Sequence, residues 1–258
     1  MQTLFYTLVQ RPYVVAFLIT FLLLATFHFG LIRALCWLVI GYGIAFFSEY
    51  SSIHNGFPYG MYHYLYDALD GELLLVGVPI WDSASYAFIA YASYSLAWFF
   101  VENCEKRLSL ENYIVPASPV RILFLGAVFM MLVDVIIDPV AHLGERWFLG
   151  KIYFYPNGGI YFGVPISNFL GWFLVAFLIL GTYQFLDKKL FTRFQFSLWG
   201  VKRFSLQGLL GPLFYFSILF FNIIITFTID EKMLGWVDIM ILLPILSLFI
   251  NKVIAQKN

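Results

Sequence analysis

Charge is scarce in this chain. Asp, Glu, Lys and Arg make up 12% of its 258 residues, against about 25% in ordinary soluble domains. The charges cancel, 15 basic against 15 acidic, so neither a nucleic-acid surface nor an acidic tail is expected. Cysteine is nearly missing. Cys36 and Cys104 give no disulfide framework and no CxxC metal spacing. The sequence holds no HExxH, no Walker motif, no dinucleotide fingerprint and no Ser-His-Asp pattern. Chemistry built on a resident zinc, a bound nucleotide or a serine nucleophile therefore lacks its residues. No internal repeat, low-complexity tract or linker divides the chain, which reads as a single integral membrane domain over residues 1–258.

Apolar residues fill the space that charge leaves. They reach 62% of the chain, with a mean hydropathy of +0.84. Seven stretches approach the length needed to cross about 30 Å of hydrocarbon. They are Tyr13–Phe27, Leu31–Phe47, Ile80–Val101, Val120–Val140, Tyr161–Leu186, Gly208–Ile229 and Met233–Ile250. The expected fold is all-α, a polytopic transmembrane bundle of about seven spans, or six if the first two form a re-entrant pair around Gly30. The first run reads as a retained helix and not a cleaved signal, since no small-residue cleavage site follows it. Basic residues gather at alternate loops. One side receives 11, among them Arg33, Lys106, Arg107, Arg193, Lys202, Arg203 and Lys257; the other receives Arg11, Arg146, Lys151 and Lys232. That asymmetry places the C-terminus in the cytoplasm, the N-terminus outside, and the chain in the cell (inner) membrane. The basic, aromatic segment 188–204 reads either as an amphipathic helix on the inner leaflet or as a solvated loop.

The few acidic residues inside the apolar runs carry the functional signal, because an ionisable side chain within a bilayer is expensive to keep there. Asp134 and Asp138, in MLVDVIIDPV, are four residues apart and share one helix face. Glu49 closes another span. Alternate connections lie on one face of a bundle, so the loop after Glu49 and the loop after Asp138 are neighbours. Asn168 is expected about two turns into the fifth span, with Trp172 on the same stripe. Several plainer readings stand beside these. Glu49 is read also as a solvated interfacial carboxylate, Asp138 as a partner for Arg146, and Asn168 as a helix–helix hydrogen bond. Pro139 is read as an end or kink of its helix. His54 and His63 form a possible relay in the aromatic loop, with His142 similar. Tyr59, Tyr62, Tyr64 and Tyr66 fit an interfacial belt or the wall of a pocket. Asp82 is equally an interface-anchored charge or a site residue.

Aromatics make 21% of the chain, an excess that reads equally as interfacial belts with core packing or as the wall of a pocket for a long apolar ligand. Two carboxyls sharing an apolar pocket put a proton donor beside an acceptor. Aromatic walls stabilise a carbocation by cation–π attraction. This palette points to proton-transfer chemistry on a lipophilic substrate.

Three motifs carry a resemblance: Glu49 followed by GFPYGMYHY, then VDVIIDPVA, then YFGVPISNFLGWF. Over roughly Glu49 to Trp172 the chain resembles the CruF-type carotenoid biosynthesis family, integral membrane hydratases of carotenoid ends. The resemblance is weakest at WDSASYAFIAY, around Asp82. It implies addition of water to the terminal 1,2 double bond of an acyclic carotenoid. Asp134 or Asp138 would be the acid and Glu49 the base, with His54, Asn168, Trp172, Tyr59 and Tyr62 around the substrate. No cofactor and no metal are expected. The expected partners are a polyene substrate, the bilayer and other enzymes of the pathway. Three rival readings remain. DVIID is a DxxxD motif able to hold Mg²⁺ on a diphosphate, as in a prenyltransferase or elongase. A seven-helix transporter with a carboxylate relay is another, and a non-catalytic subunit of a pigment-making complex is the third.

Overall fold

A computed structural model describes residues 2–102, 118–191 and 206–255. Cys104, Lys106, Arg107, Lys257 and residues 192–204 of the basic segment lie outside the described residues. Among the described residues there are eight α-helices: α1 (Gln2–Gln10), α2 (Pro12–Phe29), α3 (Leu31–Asn55), α4 (Ile80–Val101), α5 (Pro119–His142), α6 (Ile166–Leu186), α7 (Leu210–Thr228) and α8 (Lys232–Ile254). Seven of them, α2 to α8, are long and apolar enough to cross a membrane. The chain is an all-α, polytopic helical bundle.

The first two spans are separate full-length helices and not a re-entrant pair. A single residue joins them: Gly30 sits at φ +92°, a backbone conformation that side-chain-bearing residues rarely adopt. The chain therefore reverses within one residue after 18 helical residues and starts 25 more. At the other boundary the expectation needs correcting. The fifth span begins at Ile166 and not at Tyr161, because Tyr161–Val164 close a tight turn with their own backbone hydrogen bonds. Asn168 is thus in the first turn of α6. α5, by contrast, continues through Pro139 to His142.

α4 is the hub, buried along most of its length. Its sequence explains why: Ala84, Ala87, Ala90, Ala92, Ser93 and Ala97 are small enough for neighbouring backbones to approach closely. α3 comes nearest at Gly41, where an added Cβ would stand 2.9 Å from the Ala87 Cα. Trp37 donates its indole N–H to the Ala87 carbonyl at 3.0 Å. Around α4 stand α3, α6, α5, α7 and α2 in that order, with α8 outside against α7 and α5. Of the neighbouring pairs in this ring, α2 and α7 touch most sparingly.

Two loops cover the end of the bundle where α3 and α5 finish. β1 (His63–Tyr64) pairs antiparallel with β4 (Tyr153–Phe154), so the loops are stitched together across about 90 residues of sequence. A two-residue hairpin, β2 (Leu74–Leu75) with β3 (Val78–Pro79), then leads into α4. α1 is tied to the same lid: Trp81 donates to the Thr7 carbonyl at 2.7 Å, and Leu73 N–H to the Thr7 hydroxyl at 2.9 Å.

Candidate active site

Beneath that lid is a cavity lined from α2, α3, α4, α5, α6, α7 and both loops. Glu49, Asp134, Asp138, Asn168, Trp172, Tyr59 and Tyr62 all line it. The helical period brings Asp134 and Asp138 to one face of α5. From α6, the Asn168 amide donates to the Asp134 carboxyl at 2.7 Å and to Asp138 at 3.0 Å. All three are buried. Asp138 also accepts from the hydroxyls of Tyr153 and Tyr155, the latter at 2.8 Å. Three donors therefore converge on Asp138, and one on Asp134. The pairing of Asp138 with Arg146 is not observed. Arg146 turns away to Glu231 and the Ile229 carbonyl, because the 3-10 turn Gly144–Arg146 carries it past the end of α5.

Glu49 stands on another wall. It is 4% exposed and accepts from the Ser83 hydroxyl at 2.5 Å. Asp82, one residue earlier on α4, lines the same cavity together with Arg11. Arg11 is held by Glu72 in a buried two-point pair, 2.7 and 2.9 Å. Burial opposes the Arg11 charge, but the Glu72 hydrogen bond and the field of Asp82 outweigh it and raise its pKa above the ordinary value. The acidic groups thus form two sets, one on α5 and one where α3 meets α4.

Rings fill the space between. Trp172 stacks on Tyr86 with centroids 4.1 Å apart and planes 11° from parallel, and Tyr59 lies 6.3 Å from Trp172. Tyr59 is fixed by close backbone approach: a Cβ at Gly171 would stand 2.6 Å from its ring and 2.8 Å from the Pro58 carbonyl. The lid contributes more hydroxyls. Side chains alternate along a strand, so Tyr62, Tyr64, Tyr153 and Tyr155 face the cavity, whereas exposed His63 lies against Phe154 on the outer face. Burial, and then the charge of Asp138, push the Tyr153 and Tyr155 hydroxyls well above the usual tyrosine range. Burial and then Glu49 do the same for Tyr62 and Tyr64. All four stay protonated donors.

His54 does not belong to this constellation. α3 runs six residues beyond Glu49, and that extension carries His54 to the exposed surface, where its Nδ1 meets the Tyr50 carbonyl at 2.7 Å. His142 is half-buried behind Tyr153 and Tyr155. Tyr153, Tyr155, Tyr86 and Arg11 escaped the sequence reading. The alternation in KIYFYP was a signal for the first two; nothing local marks Tyr86 or Arg11.

A family model described as carotenoid biosynthesis protein matches residues 10–230. The chain belongs to that family. No curated protein and no solved structure matches it. As a family member it has a role in carotenoid biosynthesis. The matched span contains α2 to α7 and every carboxyl that lines the cavity. The apolar walls suit the lipophilic molecules of such a pathway.

Proposed function

We propose that the chain is a carotenoid hydratase, adding water to the terminal 1,2 double bond of an acyclic carotenoid end. One observation carries the reading: Asp134 with Asp138 and Glu49 occupy different walls of one cavity that is otherwise rich in aromatic and aliphatic side chains. Asp134 gives its proton to carbon 2, and the π pair becomes the new C–H bond. The positive charge develops at tertiary carbon 1, against the faces of Trp172, Tyr86 and Tyr59. A water oxygen bonds to carbon 1, and Glu49 takes the proton that water releases. The sum is substrate plus one water, giving a tertiary alcohol. Glu49 then releases its proton and Asp134 takes one up, which returns both to their starting forms with no net proton change. Asn168 holds the α5 pair in place, and the lid tyrosines keep Asp138 an acceptor.

The diphosphate rival fits the donor set less well. Asp138 is engaged by two hydroxyls and an amide, all of which present hydrogens where a cation would need oxygen lone pairs. Among the described residues no three His, Cys, Asp or Glu converge as a metal-holding group.

The test is expression in a host that accumulates lycopene, with pigments identified by mass. Products heavier by one water, lost in Asp134→Asn and Glu49→Gln, support the hydratase. An unchanged pigment profile from well-inserted protein overturns it. Dependence on Mg²⁺ and an added prenyl diphosphate would transfer the assignment to a prenyltransferase.

A further inference from the structure

Polar groups cover the cavity on its lid side, an unfavourable way in for an apolar molecule. On the lid side the barrier is the buried Arg11–Glu72 pair and the hydrogen-bonded tyrosines. Passing a hydrocarbon there would strand buried charge. Around the circumference, α2 and α7 make the sparsest contact of the neighbouring pairs in the ring. Between α2 and α7 the barrier consists of side chains.

We propose that a long apolar substrate threads into the cavity sideways from the bilayer, between α2 and α7, past a gate of Tyr13, Phe17, Phe148 and Phe221. Tyr13 and Phe17 on α2 and Phe221 on α7 all line the cavity, and all three also carry exposed surface. Tyr13 stacks on Phe221 at 5.4 Å and 20°. Phe17 meets Phe221 edge-on at 5.6 Å and 82°. Phe148, on the loop after α5 and 58% exposed, caps the Tyr13 ring from outside at 5.5 Å. Single ring contacts of this kind are weak, and a ring swings aside by a change of rotamer without moving a helix. Rings are also good neighbours for a conjugated chain sliding between them. The cavity takes the reacting end, and the rest of the chain stays in the gap and the lipid beyond it. The polyene identity of that chain rests on the hydratase reading.

The test starts from protein with Cys36→Ala and Cys104→Ala, reconstituted in phosphatidylcholine vesicles. Phe148→Cys is compared with Leu170→Cys, which sits 62% exposed on α6, away from the α2–α7 gap. Each is capped after folding with octadecyl methanethiosulfonate, and the cap is removed with dithiothreitol. Two readouts are taken with an acyclic C40 polyene: quenching of tryptophan fluorescence, which reports arrival without chemistry, and formation of hydrated product. Capping at 148 is expected to slow both by about tenfold or more, with recovery on reduction, while capping at 170 leaves both unchanged. Full-rate quenching with position 148 capped overturns the lateral route, and so does equal slowing at both positions. If wild-type protein quenches but forms no product, the hydratase reading fails while the capping comparison still decides the route.

Discussion

Tyr64 and Tyr153 stand opposite each other in an antiparallel ladder two residues long. That pairing closes the lid and brings hydroxyls from two distant loops to one acidic cavity, Tyr153 directly onto Asp138.

Removing those hydroxyls tests what they do. Tyr153→Phe with Tyr155→Phe takes two of three donors from Asp138 and is expected to lower kcat/KM by about tenfold to a hundredfold. The pKa values of both tyrosines are raised, so their donor role holds at low pH and is lost only as pH climbs through those raised values. The wild-type pH profile should accordingly show no loss from tyrosine ionisation up to about pH 10, the ordinary tyrosine value. A wild-type limb falling below that pH and absent in the double variant would contradict this.

Asn168→Leu leaves Asp134 and Asp138 facing each other without the amide between them. Turnover should fall by about a hundredfold, the usual result of misplacing reacting groups, in protein that still elutes as a single species in detergent. Near-normal turnover would mean the amide merely fills space.

Arg11→Met strands Glu72 in a buried site. The expected destabilisation is about 3–5 kcal/mol, read from thermal unfolding in detergent. Pairing it with Glu72→Leu should recover most of that, because the charge left behind is what hurts. A double variant as unstable as the single one would point to lost packing instead.

Gly171→Ala pushes a methyl against Tyr59 and the Pro58 carbonyl. The loop bearing Tyr59 must shift, so the change in KM and kcat should exceed what the drop in unfolding temperature explains. His54→Ala, on the exposed end of α3, should stay within about 0.5 kcal/mol of wild-type stability and keep full turnover.

Spans and intramembrane acids were legible because hydropathy and the 3.6-residue period are local properties. Glu49, Asp134 and Asp138 are conspicuous among apolar neighbours, and their separation along the chain already limits which faces they share. Tyr153 and Tyr155 were hidden because their partner strand lies near residue 63, and nothing between announces the pairing. The start of α6 was misplaced because YFGVP is as apolar as a helix while its backbone makes a turn. Arg11 looked like a flanking charge; its counter-ion is in another loop. His54 misled for the opposite reason, since an apolar run that ends at Glu49 does not oblige the helix to end there.

Gly30 joins two spans with no loop at all, and the consequence falls on biogenesis. α2 and α3 have to insert as one hairpin, and Glu49 arrives in the membrane long before α5, α6 and α7 exist to shelter it. Until α4 follows with Ser83, its company is α2, lipid and whatever the insertion machinery offers. A chain halted partway would hold a bare acid in the bilayer, a natural mark for quality-control proteases.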